Sequence, residues 1–322
     1  MPQTPVLDVQ NLHVSFTVDK RTVPVVRGLS YTLSKGKVLA VVGESGSGKS
    51  VHALSLLRLL PPAARAEGRV LLNSKDVFSL SPAQLRGRRG QEISMIFQDP
   101  SASLNPVLTI GEQLIETLRA HGHLSRPEAR TQAATLLAQV GIAQAEKRLD
   151  EYPFQFSGGM CQRVMIAMAL ALCPAVLIAD EPTTALDVTI QAQILRLIKN
   201  LQQERGTSVI FITHNLALAS EIADEVLVLY AGLCMEQAPA GELFARPLHP
   251  YTQGLLASLP SLKHPAEKLP AITGYPPVAG GRMEGCPFAP RCPYATEKCH
   301  RELPPLTQKN TRRVRCWREE TL

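Results

Sequence analysis

The chain has 322 residues, 45% of them hydrophobic and 19% charged, with a mean hydropathy of +0.00. That balance excludes a disordered chain, and the length suits one large domain or a domain with an appendage. The formal net charge is +6, but residues 282–322 alone carry nine Lys/Arg against five Glu. The remainder is close to neutral, which argues against a general nucleic-acid-binding surface.

Residues 1–12 have no basic stretch leading into an apolar run, so no secretion signal is expected and the cytoplasm is the default location. Residues 6–18 and 23–33 alternate apolar and polar side chains and predict a β-hairpin. Residues 38–42, Val-Leu-Ala-Val-Val, form a continuous apolar run ending at glycines, the pattern of a strand buried on both faces. A helix is predicted over 48–59, stopped by Pro61 and Pro62. Ser81 and Gln84 have the spacing of a capping box, and 93–97 reads as a short strand. From 101 to 171 the period is helical, with a capping box at Ser125 and Glu128 and a stop at Gly141. Strands at 175–179, 209–213 and 226–230 then alternate with helices at 190–205 and 216–223, which predicts a mostly parallel sheet covered by helices. The central charge-free run, 164–179, has 16 residues and contains Pro174, so it is too short to span a bilayer. At 239 the composition changes: 13 of the 25 prolines and four of the seven cysteines lie in residues 239–322.

Three motifs carry chemistry. Gly43-Glu44-Ser45-Gly46-Ser47-Gly48-Lys49-Ser50 matches G-x-x-x-x-G-K-[ST] between a predicted strand and a predicted helix. Glycines there let successive backbone N–H groups curl around phosphates, Lys49 reaches the β- and γ-phosphates, and the Ser50 hydroxyl suits Mg²⁺. The apolar run 176–179 ends in Asp180 and Glu181. Asp180 suits a direct or outer-shell Mg²⁺ contact, and Glu181 suits polarising an attacking water. Ser157-Gly158-Gly159 opens a predicted helix and makes a second anion site. One chain cannot easily fold both phosphate sites onto one nucleotide, and there is no second G-K-[ST], so the pattern asks for a partner chain.

In this order the motifs resemble those of the ATP-binding cassette (ABC) ATPases, whose signature is L-S-G-G-Q; here Phe156 and Met160 replace its first and last residues. The resemblance implies an α/β P-loop NTPase fold, the ABC cassette, with an N-terminal antiparallel β part, a helical insertion and a small Cys-rich C-terminal extension. The nucleotide-binding core would be 1–100 and 172–238, the helical subdomain with the signature 101–171, and the extension 239–322. It implies ATP and Mg²⁺ held by Gly43, Glu44, Ser45, Gly46, Ser47, Gly48, Lys49, Ser50 and Val51, with Ser157, Gly158 and Gly159 capping the nucleotide of a partner cassette. By the same resemblance Gln98 touches Mg²⁺ or water and senses a membrane partner, and His214 contacts the γ-phosphate. Ala185-Leu186-Asp187 crosses the dimer interface, and Asp187 also suits a helix N-cap. Phe16 is the candidate for stacking on adenine, with plain core packing as the other reading. Asn215 stands where the family usually has Asp.

The resemblance narrows with Phe97-Gln98-Asp99-Pro100, Ser103-Leu104-Asn105-Pro106, the run from Asp180 to Thr189, and His249-Pro250-Tyr251-Thr252. These look like the dipeptide/oligopeptide importer ATPases, a group with subunits for glutathione, D-alanyl dipeptides and nickel. They imply an ATPase that energises import through two separate transmembrane permease subunits, peripheral on the cytoplasmic face of the inner (plasma) membrane. A second ABC ATPase, a homologue or the chain itself, completes the dimer, and a substrate-binding protein acts indirectly. The helical insertion near 98–104 is expected to form the permease groove. Two alternatives stand: the same role for a non-peptide solute such as nickel, glutathione or an oligosaccharide, and a soluble ABC protein acting on ribosomes or DNA. Against the second stand the single cassette and the absence of a heptad run.

Cys286, Cys292, Cys299 and Cys316 cluster in the tail. In a cytosolic chain such a cluster suggests metal rather than disulfides. Structural zinc usually shows a short C-x2–4-C pair, which is absent, and the wider spacing with Pro287 and Pro293 suits an iron–sulfur cluster. Zinc, disulfides and unligated thiols are the other readings. The resembled ATPases imply a [4Fe-4S] cluster. Arg312, Arg313 and Arg315 are expected to offset its negative charge and donate hydrogen bonds to sulfur.

Overall fold

A computed structural model describes residues 4–122, 124–183, 187–259, 271–277 and 283–318. The chain divides into two compact units that both draw on distant parts of the sequence. One comprises the residues before Leu7, 34–36 and 79–210; the other comprises 7–33, 37–78 and the residues after 210. The chain crosses from the first to the second inside the strand Ser208–Thr213.

The second unit contains an antiparallel sheet. The predicted hairpin is present as Leu7–Val18 paired with Arg21–Leu33. Asp19 and Lys20 between them both have positive φ, 48° and 62°, the primed turn whose twist matches that of the strands. Ala64–Leu72 adds to the other side of Leu7–Val18 and Lys75–Asp76 follows it. The alternation of the sequence did not single out Ala64–Leu72, because its first six residues are charged or small and none is buried.

The same unit holds a mixed sheet. Val38–Val42, buried at all five positions, runs parallel to Glu225–Tyr230 with Leu39 opposite Glu225. Glu225–Tyr230 pairs antiparallel with Leu233–Pro239, which pairs with Arg312–Val314, which pairs with Thr307–Lys309. Tail strands therefore extend the sheet that carries Val38–Val42. Ala40, Val42, Val226, Val228, Tyr230, Tyr251 and Phe288 share one core cluster, against which Cys286 and Cys292 pack. Tyr230, Tyr251 and Phe288 meet pairwise, with ring centroids 4.6–5.5 Å apart.

The first unit pairs Ile93–Ile96 parallel with Val176–Asp180, Ile93 opposite Val176. Its helices include Ile110–Arg119, Arg126–Gln139, Gly158–Leu170 and Val188–Arg205. Both expected capping boxes close, at Ser81 with Gln84 and at Ser125 with Glu128, and Thr109 with Glu112 closes a third. Among the described residues, no helix is long and apolar enough to cross a membrane.

Candidate nucleotide site and cysteine cavity

The buried strand Val38–Val42 delivers the chain to Gly43, and the helix Lys49–Leu56 leaves from Gly48, which caps it at φ 101°. Between them the loop is curled. Lys49 Nζ donates to the carbonyls of Gly43 (2.8 Å) and Glu44 (2.9 Å), tying its first and last parts together. Gly43 has φ 154°, and a Cβ there would stand 2.1 Å from the Leu229 carbonyl oxygen, so only glycine fits. Ser45 and Gly46 are exposed at the tip, Ser47 and Lys49 are buried, and Ser50 and Val51 are half-buried on the first helical turn. A glycine-bent loop leading onto a helix N-terminus is a cradle for a polyphosphate.

Three other residues singled out by the sequence are in the second unit. His214 is exposed directly after Ser208–Thr213, and Asn215 caps the helix Leu216–Ile222 by accepting from Ala217 N (2.9 Å) and Leu218 N (3.4 Å). An Asn in place of the usual Asp thus fulfils the capping role. Phe16 is half-buried on Leu7–Val18, opposite Val23 and Ala64.

In the first unit, Asp180 is the buried last residue of Val176–Asp180. Glu181 follows with φ 46°, a left-handed conformation costly for a residue with a side chain and common at functional sites. Gln98 Nε2 donates to Glu181 Oε2 at 3.3 Å, so the two residues, 83 positions apart, form one polar pair. Ser157 caps Gly158–Leu170, its Oγ accepting from Met160 N (3.3 Å), and both Ser157 and Gly158 face water. Gly159 packs close to Ile190, where a Cβ would lie 3.2 Å from Cγ2. Asp187 caps Val188–Arg205 by accepting from Ile190 N at 3.0 Å. Ala185 and Leu186 lie outside the described residues.

The four tail cysteines line one small cavity with His249, Phe288, Tyr294, Trp317 and Arg318. Burial pushes the Cys286 thiol up to about 11 and raises those of Cys292 and Cys316. Backbone N–H groups oppose this: those of Phe288 and Ala289 act on Cys286, that of Tyr294 on Cys292, and Arg318 N donates to Cys316 Sγ at 3.4 Å. Four cysteines lining one cavity, three of them with backbone amide donors beside them, have the chemistry of thiolate ligands. Among the described residues, however, no group of three or more His, Cys, Asp or Glu side chains is arranged to hold a metal ion.

The expectation for the tail arginines is corrected. Arg312 Nη2 donates to Glu236 Oε1 (2.7 Å) and the Arg246 carbonyl (2.6 Å). Arg313 donates to Ser30 O and Gln237 Oε1, and Arg315 to Cys234 O and Pro304 O. These side chains fasten the tail to its neighbours instead of donating to the four tail sulfurs. The buried carboxylate of Glu236, which also accepts from Leu248 N and His249 N (2.9 Å each), is the natural sink for that charge.

Sequence reasoning missed Arg291. Its guanidinium, 5% exposed, forks onto both carboxylate oxygens of Glu44 at 2.6 and 2.9 Å. The Glu44 carboxylate raises the Arg291 pKa further, so the cation is permanent. Tyr251 Oη accepts from Glu44 N at 2.9 Å. The only hint in the sequence was the position of Arg291 beside Cys292.

The P-loop, an acid-ended strand and a Ser-Gly-Gly helix start on one chain define an ABC-type ATPase, and the comparisons agree. The ABC transporter family pattern matches residues 26–184, and the pattern of the oligopeptide/dipeptide transporter C-terminal region matches 235–299. The chain is 50% identical to the dipeptide transport ATP-binding protein DppD of Bacillus subtilis (strain 168), over 98% of this chain and 95% of that one. It is 49% identical to the oligopeptide transport ATP-binding protein AppD of the same organism, over 97% and 96%. A solved dimeric ATP-binding cassette in a post-hydrolysis state, bound to ADP and Pi, aligns with a TM-score of 0.66 at 28% identity, covering 73% of this chain and 98% of that one. The chain therefore belongs to the ABC transporter ATP-binding subunits of the dipeptide/oligopeptide importer family and is an ATPase.

Proposed function

We propose that this ATPase energises import of dipeptides and oligopeptides through a separate membrane permease. The carrying observation is near-half identity to peptide-transport ATP-binding proteins along almost the whole chain, including the 235–299 match specific to that group. A non-peptide solute is the second reading. A ribosome- or DNA-directed role has no support in the near-neutral body of the chain.

In this reading the backbone N–H groups from Gly43 to Ser50, with Val51 behind them, hold the phosphates of ATP, and Lys49 neutralises the β- and γ-phosphates. Ser50, Asp180 and Gln98 would hold Mg²⁺, which when bound would supply positive charge to the phosphate oxygens. Glu181, steadied by Gln98, orients and polarises the attacking water; His214 meets the γ-phosphate; Phe16 stacks on adenine. Ser157, Gly158, Gly159 and Asp187 serve the nucleotide of a second cassette, a homologue or another copy. The water-facing Ser157 and Gly158 support that trans role. The cassette core is 1–100 and 172–238, the helical part 101–171, and the extension 239–322. The helical part meets two permease subunits that a substrate-binding protein feeds, on the cytoplasmic face of the membrane. Val107 and Phe154, 75% and 77% exposed there, are apolar side chains suited to such a surface.

The extension binds a [4Fe-4S] cluster through Cys286, Cys292, Cys299 and Cys316. Four cysteines lining one cavity, with backbone amides beside three of them, support this. Bound there, the cluster would supply metal–thiolate bonds that cross-link a proline-rich segment.

The test is affinity purification from native membranes in mild detergent under nitrogen, with mass spectrometry and iron analysis. Two multi-span proteins, a second cassette and about four iron atoms per tail are expected. Recovery of the chain with ribosomes or DNA and no multi-span partner would refute the transport reading; zinc in place of iron would refute the cluster.

A further inference from the structure

Two features of the second unit have no role in the mechanism above: the Arg291 side chain and the turn that carries it. Arg291 ends the short turn Ala289–Arg291, which is framed by two of the four cavity cysteines. Ala289 N donates to the Cys286 carbonyl (3.0 Å), and Cys292 N donates to the Ala289 carbonyl (3.2 Å). The path of this turn is therefore set by Cys286 on one side and Cys292 on the other. Phe288, just before it, is buried in the core cluster that contains Ala40 and Val42 of the strand leading into the P-loop.

The guanidinium leaves this turn and reaches the loop 247 residues earlier. It forks onto Glu44 and donates to Tyr230 Oη (3.2 Å), while Nε donates to the Thr273 carbonyl (3.0 Å). Glu44 is thus held at its carboxylate by Arg291 and at its backbone N–H by Tyr251. Two restraints on the second residue of the P-loop fix where the loop begins its curl. A bidentate, largely desolvated guanidinium–carboxylate pair has one favoured geometry and cannot follow a displaced turn.

We propose that Arg291 is a positioning residue for the phosphate-binding loop, and that through it the four-cysteine cavity and the nucleotide site are energetically coupled. Loss of order at the cysteines withdraws Arg291 and weakens nucleotide binding; nucleotide, by linkage, steadies the cysteines. The inference deepens the reading of residues 43–50 as the ATP cradle and rests on it.

The test uses the full-length protein and a fluorescent, non-hydrolysable ATP analogue with Mg²⁺. Affinity is measured by anisotropy for wild type, Arg291→Ala, Arg291→Lys, Glu44→Gln and the Arg291→Ala/Glu44→Gln pair. Lys49→Ala tests the cradle itself, and Arg301→Ala, an exposed tail arginine, is the surface control. In parallel, alkylation of Cys286, Cys292, Cys299 and Cys316 is followed by mass spectrometry with and without the analogue.

Arg291→Ala and Glu44→Gln should each weaken binding about tenfold, within the usual range of coupling between sites. The double variant should be no weaker than either, because both remove one interaction. Arg291→Lys should fall between, since it keeps the charge and loses the fork. The analogue should slow alkylation in wild type and in Arg301→Ala, and leave it unchanged in Arg291→Ala. Glu44→Gln keeps the volume of the side chain, so it reports even if Arg291→Ala does not fold. Wild-type affinity in Arg291→Ala and Glu44→Gln, with binding lost in Lys49→Ala, would overturn the inference alone. Additive losses in the double variant would overturn the coupling. Wild-type affinity in Lys49→Ala would overturn the cradle reading, and the inference with it.

Discussion

Replacing Gly43 with Ala places the sharpest demand on the account of the phosphate cradle. The added Cβ would lie 2.1 Å from the Leu229 carbonyl oxygen, where contacts below 3.0 Å are not tolerated, so something must move by about 0.9 Å. The Leu229 strand is held on both sides, by Val38–Val42 and by Leu233–Pro239, so the loop is what gives. The φ of 154° adds strain for any residue with a side chain. A misplacement of roughly 1 Å in a positioning element costs about 10²-fold in rate, or about 2.7 kcal/mol of transition-state stabilisation. The assay is phosphate release at several Mg-ATP concentrations, compared as kcat/KM, with thermal unfolding as a check on the fold. Gly87→Ala is the control, because Gly87 lies in a helix with open space around it. Wild-type kcat/KM in a folded Gly43→Ala protein would refute the reasoning.

Other expectations test separate parts. Glu181→Gln should lower kcat by about 10²- to 10⁴-fold and leave affinity for ATP intact, as removal of a base requires; filter binding and turnover separate the two. Glu236→Gln should destabilise the fold by about 3 kcal/mol in urea unfolding, since it breaks the ion pair between the buried Glu236 carboxylate and the half-buried Arg312 cation. His52 is fully buried beside Tyr31 Oη (2.7 Å), and burial holds its imidazole down at about 4. Between that value and about 6.5 the unfolded chain binds the extra proton, so stability is complete above this window and falls as pH drops through it. The loss is on the order of 3 kcal/mol. The gap between the urea midpoints at pH 7 and pH 4.5 should narrow in His52→Gln, the remainder coming from groups such as His249, whose imidazole burial holds down at about 3; an equal pH effect in both proteins would contradict this.

What could be read from the sequence was local. The P-loop is contiguous, and its strand and helix follow from an apolar run and a glycine start, observed as Val38–Val42 and Lys49–Leu56. The capping boxes at Ser81 and Ser125 and the strands around 93, 176, 209 and 226 were equally local; the structure ends the first strand at Ile96, shifts the second by one residue to Val176–Asp180 and starts the last two one residue earlier. Asp180 belongs to its strand and Glu181 to a left-handed turn, a difference of backbone conformation that two adjacent acids do not reveal. What escaped was set by distant partners. Arg291 and Glu44 are 247 residues apart, and Arg312 and Glu236 are 76 apart. A tail rich in Arg looked like compensation for the cysteines because composition gives charge without direction. In the structure three of those side chains turn to carbonyls, an amide and a buried carboxylate. Strand Leu233–Pro239 also went unread, since its Glu236 and Gln237 are polar and are buried only through partners that the fold supplies.

The central claim is that hydrolysis by this chain drives peptide import. The direct measurement is uptake of labelled di- and oligopeptides by cells carrying wild-type protein or Glu181→Gln at equal abundance, with an unrelated amino acid as the control solute. Peptide uptake should stop in Glu181→Gln while the control is unchanged. Peptide uptake equal in the two strains would contradict it.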